Sequence, residues 1–307
     1  MGRYVIRRLG QMIVVLFGAT VVLFCCLFIL PGDPVGSLGG DKARDPAVVA
    51  ELRERYGLND PLPVQYGHFV QNLAKGDLGE DFTQRRPVTE VLKPKLANTV
   101  ELAVAAILID IAIGVFAGLI AALFRYSFWD VLITLLTTLA VGFPSFIIGM
   151  VLQKFFVVDL QWFPLLSDGS FNSLILPAFT LAILDAALVA RLMRGTMLEV
   201  LRADYVKTAV AKGLPRRTVL VKHVMRNSII PVVTYLGISF GSLLGGALIT
   251  EAIFNWDGIG LALVQAVQQQ NNPIIIGVVT FGVAVFVLLN LIVDLLYAVL
   301  DPRIRLA

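Results

Sequence analysis

Few side chains in this sequence are placed to do chemistry. Asp110, Asp185 and Asp294 each stand inside a long apolar stretch. An ionised carboxylate in such a place costs about 2.5–3.5 kcal/mol to insert into lipid, so it faces protein or water. Two chemistries are open to the three aspartates. One is a proton or ion relay, and the other is structural hydrogen bonding of the kind Asn290 offers one turn before Asp294. No Lys, Arg or His lies within those stretches as a relay partner, which favours the structural reading.

A second concentration of function is the basic segment Arg191–Asn227. Asp204 is placed to cap a helix over Tyr205–Lys212, Gly213 suits the left-handed residue that ends it, and Pro215 bars continuation. A second helix, Arg216–Arg226, then leads into the apolar run from Ile229. A hairpin this rich in Arg and Lys is suited to lipid phosphates or nucleic acid. Apolar runs at both ends hold it against a membrane, so a docking element for another protein fits better than nucleic-acid binding.

Catalytic groupings are absent from the sequence. There is no glycine loop followed by Lys-Ser or Lys-Thr, no nucleophile elbow and no His-Glu-x-x-His. Cys25 and Cys26 are adjacent, and His68 and His223 are the only histidines, so no disulfide framework or multi-histidine metal site can be assembled. No catalytic residue, metal site or cofactor is expected in this chain. Uphill transport by it would draw on an ion gradient or on another chain.

Glycines carry the remaining signals. Gly237, Gly241 and Gly245, with Ser242 and Gly246 beside them, put small residues on one helix face, as do Gly114 and Gly118. Such faces let a second helix approach closely, either within the chain or across a subunit contact. Gly142 and Pro144 interrupt another apolar run. That makes Gly142-Phe143-Pro144-Ser145-Phe146 either a wall of a solute pathway or a packing kink.

The elements that position these residues follow from composition. Of 307 residues 57% are hydrophobic and only 15% charged, and the mean hydropathy is +0.82. A soluble domain carries about 25% charged residues, so lipid is the solvent here. A crossing helix needs about 20 apolar residues. Six runs approach or reach that length: Met12–Leu30, Val100–Leu123, Val131–Leu152, Leu174–Ala190, Ile229–Thr250 and Ile274–Leu300. The fourth is the shortest and contains Pro177. With the N-terminus inside, the cytoplasmic segments sum to +11 and the outer ones to −4, so both termini are expected in the cytoplasm. The fold class expected is an all-α polytopic membrane protein of six spans. Residues 1–98 form the first span and an outer amphipathic segment. Residues 99–307 form a five-helix core with the basic loop at 191–228. In the outer segment one helix is expected from Pro46 to Gly57. A second is expected from Pro63 to Gly76, with Leu62, Tyr66, Phe69, Val70 and Leu73 as its apolar stripe.

The hairpin Ala203-Asp204-Tyr205-Val206-Lys207-Thr208-Ala209-Val210-Ala211-Lys212-Gly213-Leu214-Pro215 resembles the EAA loop of binding-protein-dependent ABC importer permeases. It is closest to the first permease of the dipeptide/oligopeptide/nickel importers. Leu30-Pro31-Gly32-Asp33-Pro34, Tyr56-Gly57-Leu58-Asn59-Asp60-Pro61-Leu62, Lys75-Gly76-Asp77-Leu78-Gly79, Glu251-Ala252-Ile253-Phe254 with Gly258-Ile259-Gly260, and Asp294–Arg303 match that subfamily in order. Lys207-Thr208-Ala209 departs from the general Glu-Ala-Ala, and Met225-Arg226 from Leu-Pro, as is usual in the peptide subgroup. Asp257 stands where a proline is commoner.

The resemblance implies a type I importer permease fold in a bacterial or archaeal cytoplasmic membrane. Its partners would be a second homologous permease, two cytoplasmic ATPase subunits or domains that bind ATP and Mg, and an extracytoplasmic substrate-binding protein. Its cargo would be a peptide, glutathione, haem or a nickel chelate. Coupling to the ATPase would fall to Lys207, Thr208, Ala209, Lys212, Gly213, Leu214, Arg216 and Arg217. The competing reading is an ion-coupled secondary transporter or channel that uses the three in-span aspartates.

Overall fold

Where lipid is the solvent, each backbone N–H and C=O has to be satisfied within its own segment, so long apolar runs become helices. The computed structural model describes residues 2–28, 50, 54, 59–81, 86–269 and 271–300. Most of the helix expected from Pro46, the Leu30–Pro34 turn and the end of the C-terminal match lie outside the described residues. In chain order, α1 is Gly2–Phe28 and α2 Leu62–Ala74. The two-residue strands β1 (Glu80–Asp81) and β2 (Arg86–Pro87) pair antiparallel, Glu80 opposite Pro87. Then come α3 (Val88–Leu123), α4 (Phe128–Gly142), α5 (Ser145–Asp159), α6 (Phe171–Val200) and α7 (Asp204–Ala211). A turn at Arg216–Thr218 and a π-helical stretch Val219–Met225 lead into α8 (Arg226–Phe254), followed by α9 (Ile259–Gln268) and α10 (Asn272–Leu300). Two further π-helical stretches interrupt α3 at Ile111–Val115 and end α5 at Gln153–Asp159.

The chain divides into two compact units, Met1–Thr99 with Asp257–Ala307, and Val100–Trp256. In the first unit α1 packs along α10. The stripe of α2 rests on α1: the ring of Tyr66 meets those of Phe17 and Phe24, and its hydroxyl lies 3.0 Å from Thr20 Oγ1. The small hairpin is a departure from the all-helical outer segment expected. It places Asp81 where Asn271 Nδ2 donates to its Oδ1 at 2.7 Å.

In the second unit α6 is the hub, with α3, α4, α5 and α8 all packed on it. The run read from sequence as the weakest is thus a helix of 30 residues, continuous through Pro177. A proline costs a helix one donor, and here the residue is enclosed among helices. Ser170 starts α6 by accepting from the Ser173 N–H. Gly114 and Gly118 set the α3–α6 separation. A β-carbon on Gly118 would come within 2.5 Å of the Ala190 carbonyl, and one on Gly114 within 2.6 Å of Val189 Cγ1. This pair of small residues therefore packs within the chain.

Among the described residues, α3 and α6 are long and apolar enough to cross a membrane. The number rises to four when two bent helix pairs are each counted as one crossing. One of those pairs is α4 and α5, which meet at 103°. The expected third span is therefore a sharp corner rather than a kinked rod.

Candidate functional site

The basic hairpin is built by rules that hold locally. Asp204 is the first residue of α7 and not its cap: Ala203 holds the extended N-cap position, and the Asp204 carboxylate pairs with Lys207 Nζ at 2.8 Å. At the other end Gly213 adopts φ +75°. Its N–H bonds to the Val210 carbonyl at 2.9 Å and that of Leu214 to the Ala209 carbonyl at 3.3 Å, the paired closure of a Schellman motif. Space is open where a β-carbon on Gly213 would stand, so only backbone conformation demands glycine there.

Burial sorts the hairpin residues. Val206 and Ala209 join a core with Val189, Met193, Met197, Val219, Val224 and Val232. Ala209, expected among the coupling residues, therefore faces inward; its small size serves α7 against its own chain. Lys207, Thr208 and every residue from Val210 to Arg217, including Lys212, Gly213, Leu214, Arg216 and Arg217, are exposed. The hairpin tip thus presents cations and the apolar Val210 and Leu214 together.

Its base is tied to the helices by bonds that sequence reasoning missed. Asp130, 3% exposed, takes both Arg194 Nε at 2.7 Å and Nη2 at 2.9 Å, and also accepts from the Tyr126 N–H at 2.9 Å. Thr196 Oγ1 donates to the Ser228 carbonyl at 3.0 Å, and Asn227 Nδ2 to Tyr205 OH at 3.0 Å. A lone acid at the start of an apolar run, on the side where positive charge gathers, was the available signal for Asp130.

Inside the unit, Asp110 and Asp185 are brought together within electrostatic range. Tyr235, the sole tyrosine between Asn227 and Asp294, donates its hydroxyl to Asp185 Oδ1 at 2.9 Å. Hydrogen bonding accounts for Asp185 but not for Asp110, whose carboxylate oxygens are buried without a hydrogen-bond partner. The side chains of Asp294 and Asn290 lie outside the described residues.

Gly142 ends α4, Phe143 is extended, and Pro144 caps a fresh start at Ser145. Gln153 of α5 donates to the Ile253 carbonyl of α8 at 2.7 Å. On α8, Gly241 is buried and Gly237 half-buried; the surroundings of Gly245 lie outside the described residues. Leu243 and Ala247 of the same helix pack with Leu174, Ala178, Leu181 and Ala182 of α6.

Residues 114–306 match the family described as binding-protein-dependent transport system inner membrane component, and residues 1–103 match its N-terminal counterpart. The chain belongs to this family. The permease is 38% identical to the dipeptide transport system permease protein DppB of Alkalihalophilus pseudofirmus, over 98% of this chain and 99% of that one. It is 39% identical to the glutathione transport system permease protein GsiC of Escherichia coli, over 98% of each chain. The fold is that of a solved amino acid ABC transporter chain, with a TM-score of 0.52 at 17% identity, over 70% of this chain and 94% of the other. The permease is thus an inner-membrane subunit of an ABC importer, and the ion-coupled reading is not favoured.

Proposed function

We propose that this permease lines half of an import pathway for peptides or peptide-sized ligands, received from a binding protein outside and driven by an ATPase inside. Six spans with both termini in the cytoplasm complete the topology, and a second homologous permease supplies the other half of the path. Two ATPase subunits or domains bind ATP and Mg, and neither a metal nor a cofactor is required in this chain. Relatives named for dipeptide and glutathione transport support the peptide cargo.

The observation that carries the coupling role is the exposed tip Val210–Arg217, closed by Gly213 at φ +75° and footed on a buried core. A rigid projection rooted in the spans transmits displacement, whereas a flexible one absorbs it. Arg216 and Arg217 offer charge-assisted hydrogen bonds to acidic residues of a docking groove, and Val210 and Leu214 supply its apolar contact.

Gly213→Val tests this reading, because it strains the backbone by about 1–2 kcal/mol where an added β-carbon has open space. In the assembled complex the variant inserts and copurifies normally, but loses substrate-stimulated ATPase activity and uptake. Wild-type uptake by a well-expressed variant refutes coupling through the hairpin. Uptake of a labelled dipeptide that is independent of the binding protein refutes the delivery step.

A further inference from the structure

Asp110 is wholly enclosed, at 0% exposure, and no hydrogen-bond donor reaches either oxygen. It immediately precedes the π-helical stretch Ile111–Val115 of α3, a local rewinding that recurs at functional positions. The titratable groups that face it come from the two helices beside it. These are Asp185 of α6 and Tyr235 of α8, joined to each other by the 2.9 Å bond from phenol to carboxylate. Ser239, one turn beyond Tyr235, adds a buried hydroxyl beside the phenol. No Lys, Arg or His occurs between Lys95 and Arg125, between Lys154 and Arg191, or between Arg226 and Arg303. None of the three runs therefore brings a cation to this depth.

Two carboxylates that face each other in apolar surroundings, without a cation, do not both ionise. Asp185 has a donor in the Tyr235 hydroxyl. Asp110 has none, which suits a neutral acid able to act as a donor itself. We propose that Asp110 holds a proton, so that Asp110, Asp185 and Tyr235 form a proton-binding site whose charge state governs the packing of α3 against α6. When alkaline solution removes the proton to water, a second negative charge appears beside Asp185 and the packing weakens. In acid Asp110 stays neutral and the packing is retained.

The test uses the full chain, with its copurifying subunits, in lipid nanodiscs. Infrared difference spectra between wild type and Asp110→Asn at neutral pH should show a protonated-carboxyl band that the substitution removes and that Asp185→Asn keeps. The melting temperature of the wild type should fall as pH rises, while that of Asp110→Asn should be flat over the same range, because an amide has no proton to lose. Identical carboxyl bands in wild type and Asp110→Asn would overturn the proposal. If that variant fails to insert, Asp110→Glu decides the matter. A displaced carboxyl band supports the site, and an unmoved one refutes it.

Discussion

At the scale of single residues, the permease separates glycines required by space from a glycine required by conformation. Gly118 is of the first kind, because a β-carbon there would press on the backbone of α6 at 2.5 Å and on Met193 Cβ at 2.7 Å. Backbone cannot swing aside as a side-chain end can. Gly118→Ala should therefore destabilise the chain by about 1–3 kcal/mol. Gly195, exposed on α6 with open space around it, should behave oppositely: Gly195→Ala stabilises by about 0.5–1 kcal/mol through helix propensity. Thermal unfolding of both variants in detergent separates the two. An equal response would mean that the α3–α6 approach is looser than described.

At the scale of elements, the start of α4 is fastened to α6 by one side-chain pair and not by an apolar seam alone. Asp130 receives three donors while almost fully buried, and Arg194 is about a third exposed. Asp130→Asn leaves the guanidinium without its counter-charge, and for a pair that solvent partly screens this costs about 1–2 kcal/mol. The loss should appear as a lower melting temperature, with protease sensitivity rising near Tyr126–Asp130. Arg194→Lys should cost less, since an ammonium keeps the charge while giving up the two-pronged geometry. Equal melting of Asp130→Asn and wild type would show that the pair is ornamental. The other end of the same helix turns by backbone chemistry: Gly142, extended Phe143 and Pro144 produce the 103° corner into α5. Removing the ring by Pro144→Ala restores a helix donor and should straighten the corner, read as a longer distance between spin labels at Leu135 and Val158.

At the scale of the whole molecule, topology is the testable quantity. Ser228, next to the basic segment, is fully enclosed, and its hydroxyl donates to the Val224 carbonyl at 2.9 Å. A cysteine there would resist labelling from either side. Exposed Leu166 and Ala211 are the better pair. Cysteine at Leu166 should react with an impermeant reagent from outside, and cysteine at Ala211 only after the inner face is opened. Labelling of Ala211→Cys in intact cells would invert the proposed orientation.

Charge, hydropathy and local turn chemistry made the membrane class, the helical runs and the Gly213 closure legible in the sequence. Each depends on interactions within a few residues, or on solvent that one segment meets alone. Family resemblance rested on ordered local motifs for the same reason. What only the tertiary structure decided is which partner each residue meets. Proline in a short run gave no hint that α6 would be the hub, since its continuity rests on the helices that enclose it. Nothing in the spacing of Asp130 and Arg194, 64 residues apart, or of Asp185 and Tyr235, 50 apart, required that they bond. Ala209 stood among the coupling residues, yet it is buried, because the spacing along a short helix does not say which face has a neighbour. Burial is set by all the helices at once, and a single segment does not encode it.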